Sequence, residues 1–146
     1  MGQESQIQTL EQERASKAWD FVNNLNREIE DKLLTEKEKE DPDKKKRKIE
    51  ESRKKYRSIA LKIPIYILTN GLGQTLAFFK SKGGEHELLY GHLSSWLIDE
   101  NKVFQSGELI ERVVKEGSTK YRQATLEALA FLNWIKRFAE AVLPED

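Results

Sequence analysis

The sequence predicts an all-α protein, a compact bundle of about six helices whose first and last members are long. Three observations carry that expectation. Apolar residues recur at the 3.6-residue spacing of amphipathic helices. No stretch alternates apolar and polar residues with the period of two that marks a half-buried strand. Most glycines, with Pro42 and Pro144, fall between or beyond the periodic stretches, where they act as helix punctuation. With 146 residues the chain is long enough to bury a core without disulfide or metal staples. It is expected to form one helical domain over 1–146.

The first helix is expected over 5–34, where Ile7, Leu10, Ala18, Phe21, Val22, Leu25, Ile29 and Leu33 share a face. Glu11 and Arg14 sit on or beside that face, and a buried charge needs a partner. Arg14 is therefore either a member of an internal ion pair, the preferred reading, or a contact to another chain. Residues 35–43 form a charged connector without core positions and are expected to be flexible. Asp41 followed by Pro42 has the form of an N-cap and first helical residue. A second helix is expected over 43–68 on the stripe Ile49, Ser52, Tyr56, Ile59, Ala60, Ile63 and Ile67. Pro64, lacking an N–H, is expected to kink or break it.

Asn70 to Gly73 reads as a turn. A third helix, Gln74 to Lys82, would bury Leu76, Ala77, Phe78 and Phe79 and set Lys80 and Lys82 at its C-terminal end, where cations suit the helix dipole. Gly83-Gly84 ends it. Glu85 to Ile98 is a fourth helix with Leu88, Leu89, His92, Trp96 and Leu97 inward. In the following loop Val103 and Phe104 plug into the core. Ser106 is expected to cap a fifth helix that ends at Lys115. The last helix, from Ser118, puts Tyr121, Ala124, Thr125, Ala128, Phe131, Leu132, Ile135, Phe138, Ala139 and Val142 on one side. Arg122, Asn133, Lys136, Arg137 and Glu140 fall on the other.

A formal net charge of zero hides strong segregation. Residues 1–43 hold 6 Lys/Arg against 12 Asp/Glu, residues 44–82 hold 12 against 2, and residues 83–146 hold 7 against 11. The basic middle block, opening with the run Lys44 to Lys48, is either a footprint for phosphates or a solvated helix face balanced by its acidic neighbours. Cysteine is absent, which removes disulfides, thiolate metal sites and cysteine nucleophiles. No apolar run approaches the length needed to span a bilayer. Met1 to Gln6 has neither a basic nor an apolar leader region, so no secretory signal and no membrane partner are expected.

Catalytic sets are missing. His86 and His92 are six residues apart, which is not a same-face helical spacing, and no carboxylate pair completes a ligand set. Gly71-Leu-Gly-Gln-Thr follows no strand and is too short for a phosphate-binding loop. The expectation is a protein that is not an enzyme, with no cofactor and no metal. Surface contacts are the positive reading. Lys62, Lys80, Lys82, Arg122, Lys136 and Arg137 are candidates to reach phosphates from helix surfaces. Leu126 and Trp134, on the otherwise polar half of the last helix, are candidates for a protein interface or are covered by another helix of the same chain.

The ordered set Arg14…Ala18-Trp19, Lys62-Ile-Pro64…Asn70-Gly-Leu-Gly-Gln-Thr-Leu-Ala-Phe78…Lys80-x-Lys82, Tyr90…Trp96-Leu97 and Tyr121-Arg122…Thr125…Glu127-Ala-Leu-Ala-Phe-Leu-x-Trp134-Ile-Lys-Arg-Phe138 resembles the small helical subunit of the type III-B CRISPR (Cmr) RNA-guided effector complex. The resemblance runs from about residue 14 to 139 and is weakest over 35–48. It implies a six-helix fold without a catalytic centre, in a cytoplasmic protein of antiviral defence. It further implies copies stacked head to tail as a filament, beside the backbone and large subunits and the guide RNA–target RNA duplex. The matched basic positions, as contacts to RNA or to a neighbouring subunit, are Arg14, Lys62, Lys80, Lys82, Arg122, Lys136 and Arg137. Two rivals stay open: a helix-turn-helix DNA-binding regulator, disfavoured by the long final helix with its buried middle, and a helical adaptor that binds protein only.

Overall fold

The computed structural model describes residues 7–35, 41–100 and 102–145. Residues 5 and 6, where the first helix was expected to begin, and residues 36–40 of the connector lie outside them. Among the described residues the chain forms seven α-helices and one π turn, without a strand.

The expected first helix divides into two, α1 (Leu10–Asn23) and α2 (Leu25–Thr35). A capping box sets the start of α1: Gln12 N–H donates to Thr9 Oγ1 at 3.1 Å, and Thr9 N–H donates to Gln12 Oε1 at 2.9 Å. Ile7 and Leu10 therefore precede or open the helix and stay exposed, contrary to their expected burial. Asn24 makes the break. Its N–H donates to Asp20 O, and its own carbonyl accepts from Arg27 and Glu28. Asparagine favours such local breaks because its backbone and side chain readily leave helical pairing. The single-residue interruption keeps Ala18, Val22, Leu25 and Ile29 in one buried row.

Helix α3 (Pro42–Asn70) is the longest. Asp41 caps it and Pro42 opens it, as the sequence indicates. Pro64 does not end it. An interior proline costs about 3 kcal/mol, and burying Tyr56, Ile63 and Ile67 offsets that at roughly 1.5–3 kcal/mol per large apolar side chain. The long pair is thus α3 and α7 (Ser118–Val142), rather than first and last.

Gly71, at φ 91°, turns the chain into α4 (Leu72–Lys82). The turn is clamped by Tyr121, whose Oη accepts from Gly73 N–H at 3.0 Å and would stand 3.3 Å from any Cβ on Gly71. Within α4, Leu76 and Phe79 are buried, Phe78 is half-buried, and Ala77, expected inside, is exposed. Helix α5 (Gly84–Ser94) runs into the π turn Ser95–Asp99, which buries Trp96, Leu97 and Ile98. Val103 and Phe104 do plug the core, and both their N–H groups donate to Leu97 O at 3.1 Å.

Helix α6 (Leu109–Lys115) does not start from a Ser106 cap. Glu108 occupies the cap position, but its carboxylate accepts the Tyr90 hydroxyl. Tyr90 Oη in turn accepts from Ile110 N–H at 3.0 Å, satisfying one of the orphan first-turn donors.

Helix α7 is the spine. It packs most extensively on α1 and α3 through Ala124, Ala128, Phe131, Leu132, Ile135 and Ala139, all buried. Tyr121, Thr125 and Phe138 are half-buried and Val142 is at the exposed edge of that face. It runs antiparallel to α3, since Arg53 Nη2 donates to Val142 O at one end and Tyr121 meets Gly73 at the other. Trp96 stacks on Phe131 at 5.2 Å. One polar chain crosses the interior: Tyr56 Oη and Glu28 Oε1 each lie 2.7 Å from the two ring nitrogens of His92, on which Phe21 stacks. It ties α2, α3 and α5 together, and burial pushes the Tyr56 hydroxyl pKa up.

Candidate functional site

The basic residues singled out from sequence separate into two groups by whether a carboxylate faces them. Arg14 belongs to the first. Its Nε and Nη2 donate to the two oxygens of Glu127 at 2.7 and 2.9 Å, and its Nη1 donates to Glu11 at 2.8 Å. Trp96 Nε1 donates to the same Glu127 at 2.9 Å. The internal ion pair preferred from sequence is present, and all three guanidinium nitrogens are engaged within the fold. The hydrogen bond to Glu127 raises the Arg14 pKa further above its ordinary value. Burial pushes Glu127 up, but the bonds from Arg14 and Trp96 outweigh it and hold the carboxyl below the usual range.

Lys80 is also engaged, with its Nζ 3.6 Å from Glu87, 3.7 Å from Glu108 and 4.9 Å from the Tyr90 ring centroid. Arg137 is exposed and lies 3.6 Å from Glu140. Arg122 is exposed and Lys136 half-buried, and neither has an ion pair among the described residues. Leu126 is 63% exposed, so no helix covers it. Trp134 is half-buried against Phe138, and its Nε1 donates to Glu11. The two interface candidates are thus differently placed, Leu126 in solvent and Trp134 against α1.

Lys62 and Lys82, like Arg122 and Lys136, belong to the second group. Lys62 and Lys82 converge on a groove of about 640 Å³ between α3, α4 and the start of α5, and Lys55 joins them there. Its aromatic wall is Tyr66 stacked on Phe78 at 5.2 Å, with His86 edge-on to Phe78 at 5.7 Å. Lys82 Nζ stands 5.6 Å from the Phe78 centroid. Among the described lining residues the one carboxylate is Glu85, which already accepts the Ser52 hydroxyl at 2.7 Å. Burial, helped by Lys82 and Lys55 against a pull from Glu85, holds the His86 pKa below its ordinary value.

A neighbouring hollow of about 660 Å³ is lined by Lys44, Arg47, Lys48 and Lys54 together with Glu50 and Glu51, and it shares Lys55, Gly84 and Glu85 with the groove. The basic run 44–48, outside the motifs that match the family resemblance, is therefore continuous with Lys62 and Lys82. Sequence reasoning missed Lys55, Tyr66, Phe78 and His86 as members of this site. A signal for Lys55 was present: Lys48, Lys55 and Lys62 recur every seven residues, which keeps them on one helical face. No such signal existed for the aromatics, which the α3–α4 turn brings together. Arg53 and Arg57, from the same basic block, turn instead to the C-terminal end of α7, Arg53 on Val142 O and Arg57 3.7 Å from Glu145.

Among the described residues no group of three or more acidic, histidine or cysteine side chains is placed to hold a metal ion, and no helix is long and apolar enough to cross a membrane.

Comparison with known proteins is consistent across sequence and structure. Residues 10–142 match the family described as CRISPR-associated protein (Cas_Cmr5). A CRISPR system Cmr subunit Cmr5 from Thermus thermophilus is 35% identical over 95 residues, which span 65% of this chain and 81% of that protein. The crystal structure of a CRISPR-associated Cmr5 family protein, also from Thermus thermophilus, superposes with a TM-score of 0.66 at 30% identity, covering 94% of this chain and all of the other.

Proposed function

Because this chain belongs to the CRISPR-associated Cmr5 family, we propose that it serves as the small subunit of a type III-B Cmr ribonucleoprotein effector in antiviral defence. In this reading the subunit is cytoplasmic and non-catalytic. Copies of it stack as a filament beside the backbone and large subunits, and the filament steadies the complex along the guide RNA–target RNA duplex. The observation that carries the reading is the family match over 10–142, nearly the whole helical body. Charge placement supports it. Head-to-tail stacking needs two different, complementary surfaces on each copy, and the acidic first third and the basic face of α3 supply such a pair. Duplex contact needs point charges set along a surface rather than base-reading groups. The run 44–48, and Arg122, Lys136 and Arg137 on α7, fill that role.

The test is capture of the tagged full chain from a native-like host, with mass spectrometry and RNA extraction on what is retained. Recovery of the Cmr backbone and large subunits with a short guide RNA is expected. An RNA-free single species would overturn the assembly reading and leave a helical adaptor. Charge reversal at Lys44, Lys45 and Lys46 is expected to reduce either subunit recovery or salt-dependent RNA affinity. If both stay unchanged, that run is solvated surface only.

A further inference from the structure

We propose that the groove between α3, α4 and α5 takes one unpaired nucleotide of an RNA strand, its phosphate among Lys55, Lys62 and Lys82 and its base against the Tyr66–Phe78 pair. The choice of RNA over DNA rests on the Cmr-subunit reading above. The choice of an unpaired nucleotide over a duplex rests on the groove itself.

Three features argue for it. The cations outnumber the carboxylates, and the one carboxylate present, Glu85, accepts the Ser52 hydroxyl and has none of the three lysines at ion-pair distance. An anion entering the groove therefore displaces no internal ion pair, in contrast to Arg14 or Lys80. The second feature is the aromatic wall. Tyr66 and Phe78 are only half-buried, although they stack on each other. Aromatic rings beside cations are how proteins hold single strands, because every base offers a π face. A duplex keeps its base faces inside its own stack and would meet the lysines but not the rings. The third is arrangement. Lys82 Nζ lies over the Phe78 ring, 5.6 Å from its centroid, so a cation and an aromatic ring stand within the span of one nucleotide. The volume of about 640 Å³ falls in the range of small-ligand sites. His86, whose pKa burial lowers, adds a hydrogen-bonding edge to the groove. An acidic peptide would also satisfy the lysines but has no general use for a stacked aromatic wall.

The experiment is fluorescence anisotropy of the full chain with a short labelled oligoadenylate and with a blunt RNA duplex of equal length, over a salt series. The single strand is expected to bind about tenfold tighter than the duplex. Tyr66→Leu should weaken single-strand binding about tenfold with an unchanged salt slope, whereas Tyr66→Trp, which keeps a ring, should retain it. Lys62→Glu combined with Lys82→Glu should lower the salt slope by about one or more. Equal or tighter duplex binding, indifference to Tyr66→Leu, or equally effective competition by polyglutamate would each overturn the proposal. The capture experiment is run on the same variants. Tyr66→Leu that still recovers the Cmr subunits while losing the single strand supports the groove. Wild type that binds the oligonucleotide but captures no Cmr subunit defeats the assembly reading and leaves the nucleotide site standing.

Discussion

The knot around Arg14 and the groove around Lys62 use the same chemistry, a cation beside aromatic rings, to opposite ends. In the knot, Glu127 takes two hydrogen bonds from Arg14 and one from Trp96, and Glu11 takes one each from Arg14 and Trp134. Two carboxylates there surround one cation, and the result joins α1, α7 and the π turn. In the groove Lys55, Lys62 and Lys82 share one carboxylate, Glu85, and none of them reaches it at ion-pair distance. What separates a residue that holds the fold from one open to a ligand is thus the local carboxylate supply rather than residue type. Lys80 and Lys82 make the point within one helix: two positions apart, the first is engaged by Glu87 and Glu108 and the second lines the groove.

The largest effect that would sharpen this comparison is at Glu127. Glu127→Ala leaves Arg14 and Trp96 without their shared acceptor and is expected to cost about 3 kcal/mol, by analogy with other partly buried pairs that lose one member. Urea titration checks it, and a loss below about 0.5 kcal/mol would place the knot among ordinary surface pairs. The same residue predicts a pH dependence. Its folded pKa is depressed, so its contribution is fully present above the unfolded value of about 4.3. That contribution is lost as pH falls through the lower folded value. Stability of the wild type should drop across that acid window, and Glu127→Gln should show a flatter profile there.

Arg14→Lys keeps the charge but loses the two-pronged geometry, and thermal melts should register about 1–2 kcal/mol. Lys80→Ala removes a partly exposed pair and a ring contact and should cost about 0.5–1 kcal/mol. It should leave single-strand RNA affinity unchanged, and a loss of affinity as large as that from the Lys62 and Lys82 reversal would break the distinction between engaged and open lysines. At the small end, Lys62→Glu should alter stability by no more than about 0.5 kcal/mol, because no internal partner among the described residues is lost. A larger destabilisation in urea would show that Lys62 serves the fold.

Much of the fold was legible in the residues, and the reasons are local. The buried face of α7 followed from helical spacing, and Asp41-Pro42 announced the start of α3. Val103 and Phe104 stood out as large apolar residues in an otherwise polar loop. Arg14 was readable as an internal pair member because a charge on a buried face requires a partner. The partner itself was not readable, since Glu127 lies 113 residues away. The Asn24 break escaped notice because it leaves the apolar row in register. The break that Pro64 offered did not occur, because a local backbone penalty was set against burial that depends on the packed helices.

The sequence by itself determined the all-α class, the core face of each main helix, the absence of cysteine chemistry and the concentration of positive charge in 44–82. These properties follow from periodicity and composition, which act over a few residues. Only the tertiary structure decided which cations are spent. Packing brought Glu127 to Arg14 and Glu108 to Lys80, sent Arg53 and Arg57 to the end of α7, and folded α4 back on α3 so that Phe78 met Tyr66 beside Lys62 and Lys82. Ion pairing and stacking depend on separations of a few ångströms between residues distant in the chain, and such separations exist only once the helices have packed.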